Sequence, residues 1–242
     1  MMQKRMLLPL IVILSGVMLF PAVKRGTEVF PVTPGGALIL ENINGSVELS
    51  THKRHEIRVD LEKMAPTQKE LDEVDVRMKL EDNGLRVEVK RLRRDTRAWV
   101  NFRVIVPERL QSVSLTSVNG AVRASGDLKE LSLESVNGAL RQQGELTEGR
   151  FRTVNGAIVA VVARSLAGGI NARSVNGSIQ LEIPRTSDFE VSGDTLNGAV
   201  RSDFELKVER RLVGKSVQGV VGKGDHAVKV KTVNGSIKIL AI

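Results

Sequence analysis

The sequence has no cysteine and no tyrosine, and its 242 residues include one tryptophan and six phenylalanines. Without thiols there is no disulfide, no thiolate metal site, no cysteine nucleophile and no lipid-modified cysteine. Scarce aromatic faces argue against sugar-stacking clefts and against single-strand nucleic-acid platforms, so no nucleic-acid partner is expected. Histidine is limited to His52, His55 and His226. The first two are three apart, but Lys53, Arg54 and Arg58 beside them oppose a cation, and the pair reads as solvated surface. Carboxylates are scattered, as in Asp188-Phe189-Glu190 and Asp203-Phe204-Glu205, and never recur at one repeat position. Hydrolytic or lyase chemistry needs them clustered. The expectation is therefore a protein without catalytic residues, metal or cofactor, with a degenerate carbohydrate-active enzyme on a β-helix as the alternative.

The charge is +8, from 36 basic and 28 acidic residues. Lys4, Arg5, Lys24 and Arg25 all precede the first acid, Glu28; setting them aside leaves 32 basic residues against 28 acidic. That mild excess suits an anionic surface and bears on partners more than on fold. At the N-terminus, two charges precede an apolar run from Met6 to Phe20, followed by Pro21-Ala22-Val23-Lys24-Arg25. This is the pattern of an export signal. Its fifteen residues fall short of the ~20 of a spanning helix, and no small-x-small site closes it. Both a cleaved signal peptide and a retained signal-anchor stay open. The chain divides into residues 1–25 as signal or anchor, 26–34 as a short linker and 35–242 as the folded domain, placed in the periplasm or at the cell surface.

What the sequence has in abundance is one motif. Asn-Gly recurs seven times in similar surroundings, at Asn44-Gly45, Asn119-Gly120, Asn137-Gly138, Asn155-Gly156, Asn176-Gly177, Asn197-Gly198 and Asn234-Gly235. Two residues before the asparagine stands Ser or Thr (Asn42 in the first copy), and one before stands Val, Leu or Ile. The asparagines are separated by 75, 18, 18, 21, 21 and 37 residues. The interval of 37 reads as two coils, with a degenerate copy near Gln218-Gly219. Glycine suggests a left-handed turn conformation, and asparagine tolerates the same region. Mostly apolar residues four before each asparagine alternate with polar ones three before, marking a half-buried strand. Val122, Leu140, Ile158, Ile179, Val200 and Ile237, three after, are expected to point inward.

An antiparallel meander could close each Asn-Gly as a hairpin. A β-solenoid with 18–21-residue rungs, stacking like positions about 4.8 Å apart, also explains why Ser/Thr, Val, Asn and Gly recur together. It is the preferred fold class: all-β, a single-stranded right-handed β-helix, with a buried asparagine ladder satisfying its amides along the axis. Ile57 to Val106 interrupts the repeat. There Thr67 and Glu70 form a capping box for a short helix near 68–73. Val74 to Leu80 and Leu85 to Val89 alternate about Asp82-Asn83-Gly84 as a hairpin, and Phe102 to Val106 alternates up to Pro107. The Gly-rich stretch 213–225 lacks the Gly-Lys-Ser/Thr ending of a phosphate loop and reads as tight corners.

Taken in order, the exported N-terminus, first Asn-Gly rung, short helix, strand pair, Arg103-Val-Ile-Val-Pro107 strand, Ser-Val-Asn-Gly rungs and closing Val-Asn-Gly-Ser-Ile-Lys-Ile resemble the bacterial toastrack-type family. Its members are catalogued as candidate adhesins of unknown function associated with the cell envelope. The resemblance covers residues 35 to 242 and implies a right-handed β-helix outside the cytoplasm, with no catalytic residue to carry over.

One basic run stands apart: Lys90, Arg91, Arg93, Arg94 and Arg97, leading to Trp99. With Arg123, Arg141, Arg152 and Arg173 as a stripe, it is a candidate contact for anionic lipid, envelope polymer or an acidic partner. The expected function is binding, or scaffolding and stress association, through a cell-envelope component or membrane-protein partner.

Overall fold

The computed structural model describes residues 21–33, 35–81, 84–93, 95–210 and 213–242. Most of the expected signal segment, the Asp82-Asn83 turn and Arg94 lie outside the described residues. In chain order the N-terminal part comprises β1 (Ala22–Pro31), β2 (Ala37–Asn44), β3 (Val47–His52), β4 (Glu56–Ala65), α1 (Gln68–Asp72), β5 (Val74–Glu81), β6 (Gly84–Arg91) and β7 (Trp99–Pro107). The regular repeats follow as β8 (Ser112–Asn119), β9 (Val122–Ser125), β10 (Leu128–Asn137), β11 (Leu140–Gly144), β12 (Leu146–Asn155), β13 (Ile158–Val162), β14 (Ile170–Asn176) and β15 (Ile179–Ile183). The C-terminal part is β16 (Phe189–Asn197), β17 (Val200–Ser202), β18 (Lys207–Arg210), β19 (Lys215–Val221), β20 (His226–Asn234) and β21 (Ile237–Ala241).

The strands on either side of each of the seven repeated Asn-Gly pairs go to different sheets, so each pair is a corner and closes no hairpin. Strand order is β1-β4-β7-β3-β9-β11-β13-β15-β21-β17 in one sheet and β18-β19-β16-β20-β14-β12-β10-β8-β2-β6-β5 in the other. Repeat strands pair in parallel and in register, asparagine on asparagine. Parallel neighbours cannot be joined by a tight turn; here the strand in the opposite sheet makes the connection. Alternation then decides burial. Leu40, Leu115, Leu133 and Phe151 point inward from one sheet to meet Val47, Val122, Leu140 and Ile158 from the other, all buried in one core. Each such side chain contributes about 1.5–3 kcal/mol relative to exposure. Between them Arg123, Arg141, Arg201 and Lys238 face solvent as expected.

Two polar layers and one close backbone contact hold each regular corner. The exposed asparagine amides form an unbroken ladder: Asn119 donates to Asn44 at 2.9 Å, Asn137 to Asn119, Asn155 to Asn137 and Asn176 to Asn155 at 2.8 Å, Asn234 to Asn176 at 2.7 Å and Asn197 to Asn234 at 2.8 Å. The ladder lies on the surface; the buried polar position is the Ser/Thr two residues earlier. Its hydroxyl donates to the glycine carbonyl of the neighbouring rung, as in Ser135 to Gly120 at 3.2 Å, Thr153 to Gly138 at 3.0 Å and Thr195 to Gly235 at 2.8 Å. The glycine also departs from the expected reason. Of the seven only Gly45 has a positive φ, 112°, and no asparagine does. A Cβ on Gly138 would lie 1.9 Å from the carbonyl oxygen of Gly120, and one on Gly156 2.1 Å from that of Gly138. Close backbone approach demands glycine here.

Rung order departs from sequence order at both ends. β20–β21, the last coil in the chain, lies between β14–β15 and β16–β17. The 37-residue interval therefore conceals no degenerate copy. Gln218 and Gly219 belong to β19, which runs antiparallel to β16 and, with β18, covers that end of its sheet. At the other end β6–β7 stacks outside β2–β3, while β5, β4 and β1 add antiparallel cover. Residues 26–34, read as a linker, contain most of β1, whose ten residues pair with β4. An edge strand exposed on both faces offers no alternation to read. The Thr67 N-cap forms as expected, its hydroxyl accepting from Glu70 N at 3.2 Å, while the Glu70 carboxylate accepts from that hydroxyl at 3.0 Å.

Gly138→Ala is expected to destabilise the protein by about 1–3 kcal/mol, because backbone must yield to the new methyl. Thr153→Val, which leaves a carbonyl without its donor, is expected to cost about 1 kcal/mol. Chemical denaturation at equilibrium measures both. Truncation after Asp225 is expected to abolish cooperative unfolding rather than trim one rung, read by circular dichroism on heating.

Candidate functional site

Chemistry can first be sought where acids and histidines sit. His52 Nε2 lies 2.8 Å from the Glu56 carbonyl oxygen, which ties the ring into a turn. Among the described residues no group of three His, Asp or Glu could hold a metal. Asp188 accepts from Lys223 N at 2.9 Å and Asp203 from Ala241 N at 3.3 Å, so both close loops over the packed Phe189–Phe204 pair. The Gly-rich stretch beside them supplies turns, with positive φ at Gly214, Gly222 and Gly224.

A hollow of about 710 Å³ lies over β1, β4 and β7, lined by Arg25, Thr27, Glu48, Asp60, Glu62 and Arg103 among others. Its charges satisfy one another: Arg25 meets Glu62 at 2.6 Å and Thr27 donates to Asp60 at 2.6 Å. Hydrogen bonds from Arg58 and then Thr27 hold the Asp60 carboxyl below the usual carboxylate range. Alternating signs give this hollow no demand for an ion of either charge.

The basic run begins at the end of β6 with Lys90 and Arg91 and continues with Arg93 and Arg97 in the segment joining β6 to β7, which stands in the outermost rung in place of Asn-Gly. Ala98 accepts the free end of the asparagine ladder from Asn44 at 3.0 Å. α1 fastens the loop: Thr96 donates to Glu73 at 2.8 Å, Leu92 N to the Glu73 carbonyl at 2.9 Å, and Arg97 meets Glu70 at 3.2 Å. Desolvation pushes the Glu70 carboxyl up, but hydrogen bonds from Arg97 and Thr67 outweigh it and leave the group below its ordinary value. Lys90 pairs with Glu88 at 3.0 Å and Arg93 with Asp95 at 3.7 Å, while Arg91 reaches the Thr96 carbonyl at 3.5 Å. These are exposed pairs, worth about 0–1 kcal/mol and readily exchanged for another anion. Trp99, to which the basic run leads in the sequence, is 46% exposed, and Leu92, which the sequence reading did not single out, is 67% exposed.

The expected arginine stripe divides in two. Arg123 and Arg141 stand side by side on β9 and β11 of one sheet, and Arg152 and Arg173 on β12 and β14 of the other. Arg123 is joined to Glu48 at 3.4 Å. The second pair continues through Lys231 and borders a row of exposed valines that the sequence reading had treated only as part of the motif. Among the described residues no helix is long and apolar enough to cross a membrane.

Comparison with known proteins bears on the fold. The chain resembles the solved structure of a "putative cell adhesion protein" from Clostridium sporogenes ATCC 15579, with a TM-score of 0.52 and 13% identity over 90% of this chain and 100% of that one. It is also similar to a "putative adhesin" from Bacteroides fragilis NCTC 9343, at a TM-score of 0.42 and 13% identity over 89% and 97% of the two chains. Such low identity speaks to the fold alone, and the weaker second match carries no further argument. No curated protein matches the sequence. A family model described as Toastrack DUF4097 matches residues 37–240, from the first residue of β2 to the last rung. The pattern of stacked corners thus extends over nearly all the described chain, and the protein belongs to the toastrack family.

Proposed function

We propose that this protein is a non-catalytic, adhesin-like binding or scaffolding domain held outside the cytoplasm at the cell envelope, and that the end of the stack nearest β1 rests on an anionic membrane surface. Its coils wind as a single-stranded right-handed β-solenoid, the sense that connections between parallel neighbours in one sheet nearly always take. Export follows from the basic start and apolar run at the N-terminus.

The observation that carries the membrane contact is where the chain emerges. Ala22 pairs with Ala65 of β4, and the adjacent Met64 pairs with Trp99. The start of β1 thus lies two strands, or about 10 Å, from Trp99. A retained apolar segment would deliver Leu92 and Trp99, with Arg91, Arg93 and Arg97, to the bilayer surface. Tryptophan suits the headgroup level, and juxtamembrane Lys and Arg each gain roughly 1 kcal/mol near anionic lipid. An envelope polymer offers the same charges without an apolar layer for Leu92 and Trp99.

Vesicles rich in phosphatidylglycerol should therefore sediment the protein at low ionic strength, and added salt should release it. Replacing Arg91, Arg93, Arg94 and Arg97 with Gln, or Leu92 and Trp99 with Ser, should each abolish most of that binding. Unchanged binding in both variants removes the loop from the contact. In cells, an intact N-terminus in the membrane fraction is the expected state of the tethered protein; a soluble mature chain starting near Val23 would contradict the tether.

A further inference from the structure

The outward face of the β8–β10–β12–β14 sheet carries two parallel rows along the stack. One row is aliphatic, with Val118, Val136, Val154 and Val175 from 38% to 42% exposed, and continues into Ile43 at one end and into Val233 and Leu196 at the other. The other lies two residues back on each strand and reads Glu41, Thr116, Glu134, Arg152, Arg173 and Lys231 over six successive rungs, with Glu88 flanking it beyond Glu41 and Asp194 beyond Lys231. Together they border an open groove of about 560 Å³. The core does not require this aliphatic row, since the Ser/Thr, Leu and Val beside it already point inward. Threonine would serve the strand equally well at an exposed site. A contiguous exposed apolar strip with a polar border marks a contact surface.

The charged row identifies what covers it. Over the six central rungs its sign reverses between Glu134 and Arg152, and it reverses again from Lys231 to Asp194, so a ligand of one sign complements only part of it. We infer that the partner is a second copy of this chain, related by a two-fold axis that passes between β10 and β12. That operation sets Glu134 against Arg152 of the second copy, Thr116 against its Arg173 and Glu41 against its Lys231; one rung further out the like charges Glu88 and Asp194 oppose each other and limit the patch to these six rungs. Along the aliphatic row it sets Val136 against Val154, Val118 against Val175 and Ile43 against Val233. Every contact occurs twice, as a closed isologous interface requires. Within one chain Glu134 and Arg152 approach only to 4.0 Å, and Glu41 meets Arg86 at 3.2 Å. These are exposed pairs that exchange at little cost. Six rungs at about 4.8 Å and two rows about 7 Å apart make a narrow patch, at the small end of specific interfaces. The dimer is therefore one that concentration in an envelope would favour.

Because the chain contains no cysteine, single thiols report the contact cleanly. Full-length Val136→Cys and Val154→Cys proteins in isolated envelopes should be joined as dimers by a short bismaleimide. Arg141→Cys, on the opposite sheet, should not. Glu134→Arg or Arg152→Glu, each added to Val136→Cys, should slow dimer capture roughly tenfold by setting like charges together. The double reversal Glu134→Arg/Arg152→Glu should restore it, because the exchanged charges again meet across the axis. Thermal unfolding of each variant shows whether the fold is retained. Failure of both valine positions to cross-link in folded protein, or capture indifferent to the reversals, would overturn the inference.

Discussion

At each regular corner the carbonyl of one glycine occupies the space where the next rung's glycine would carry a Cβ, at distances near 2 Å. This contact sets how closely the coils stack, and the other corner interactions depend on it. Rungs that descend onto one another put like side chains at strand spacing, which allows an asparagine amide to donate to the same amide one rung away. The same approach brings the glycine carbonyl within reach of the buried Ser/Thr hydroxyl. That acceptor would otherwise be partly cut off from water, and a buried acceptor without a donor costs about 1–3 kcal/mol. Glycine, asparagine and hydroxyl are thus three consequences of one translation, which is why they recur together.

Stacks of this kind are vulnerable at their ends, where an open edge strand can pair with another chain. Here neither the first nor the last coil in sequence is an outermost rung. β2–β3 lies beneath β6–β7, and β20–β21 lies beneath β16–β17. Antiparallel strands then cover β6, β7 and β16, while β17 remains the edge of its own sheet. Removing β2–β3 or β20–β21 would expose two surfaces rather than one, and contacts far apart in sequence must form before the ends close. Such non-local pairing raises the entropic cost of folding. In return the broad sheet faces stay accessible while most of the end strands are shielded, and those faces carry the charged and aliphatic rows argued above to make contacts.

Much of this was legible in the residues. The fixed spacing of Ser117-Val-Asn-Gly and its copies pointed to parallel stacking, and the polarity of flanking positions assigned inside and outside correctly for Leu115, Val122, Arg123 and their equivalents. The capping-box pattern at Thr67 located α1, and membership of the toastrack family agrees with the order of motifs. The sequence did not disclose rung order. Asn197 and Asn234 carry the same motif and nothing local distinguishes an inserted coil from a skipped one. β1 was illegible because it rests on ladder hydrogen bonds to β4 without burying a face. The role of glycine was misread because a turn and a close approach select the same residue. Likewise a periodic asparagine does not reveal whether its ladder is covered. For the contact surfaces, charge was visible in the Lys90–Arg97 run, but Leu92, Trp99 and the reversal between Glu134 and Arg152 gain meaning only when strands are placed side by side.

The inserted C-terminal coil distinguishes this stack from a simple succession of repeats, and hydrogen exchange on the native protein tests it most directly. Amides of residues 228–240 should be protected to the level of the central β10–β13 rungs and should open together with β16–β17, because each lies against the other. Early exchange of residues 228–240 alone, with β14–β17 still protected, is the behaviour of a frayed terminus and would contradict the interleaved order of the rungs.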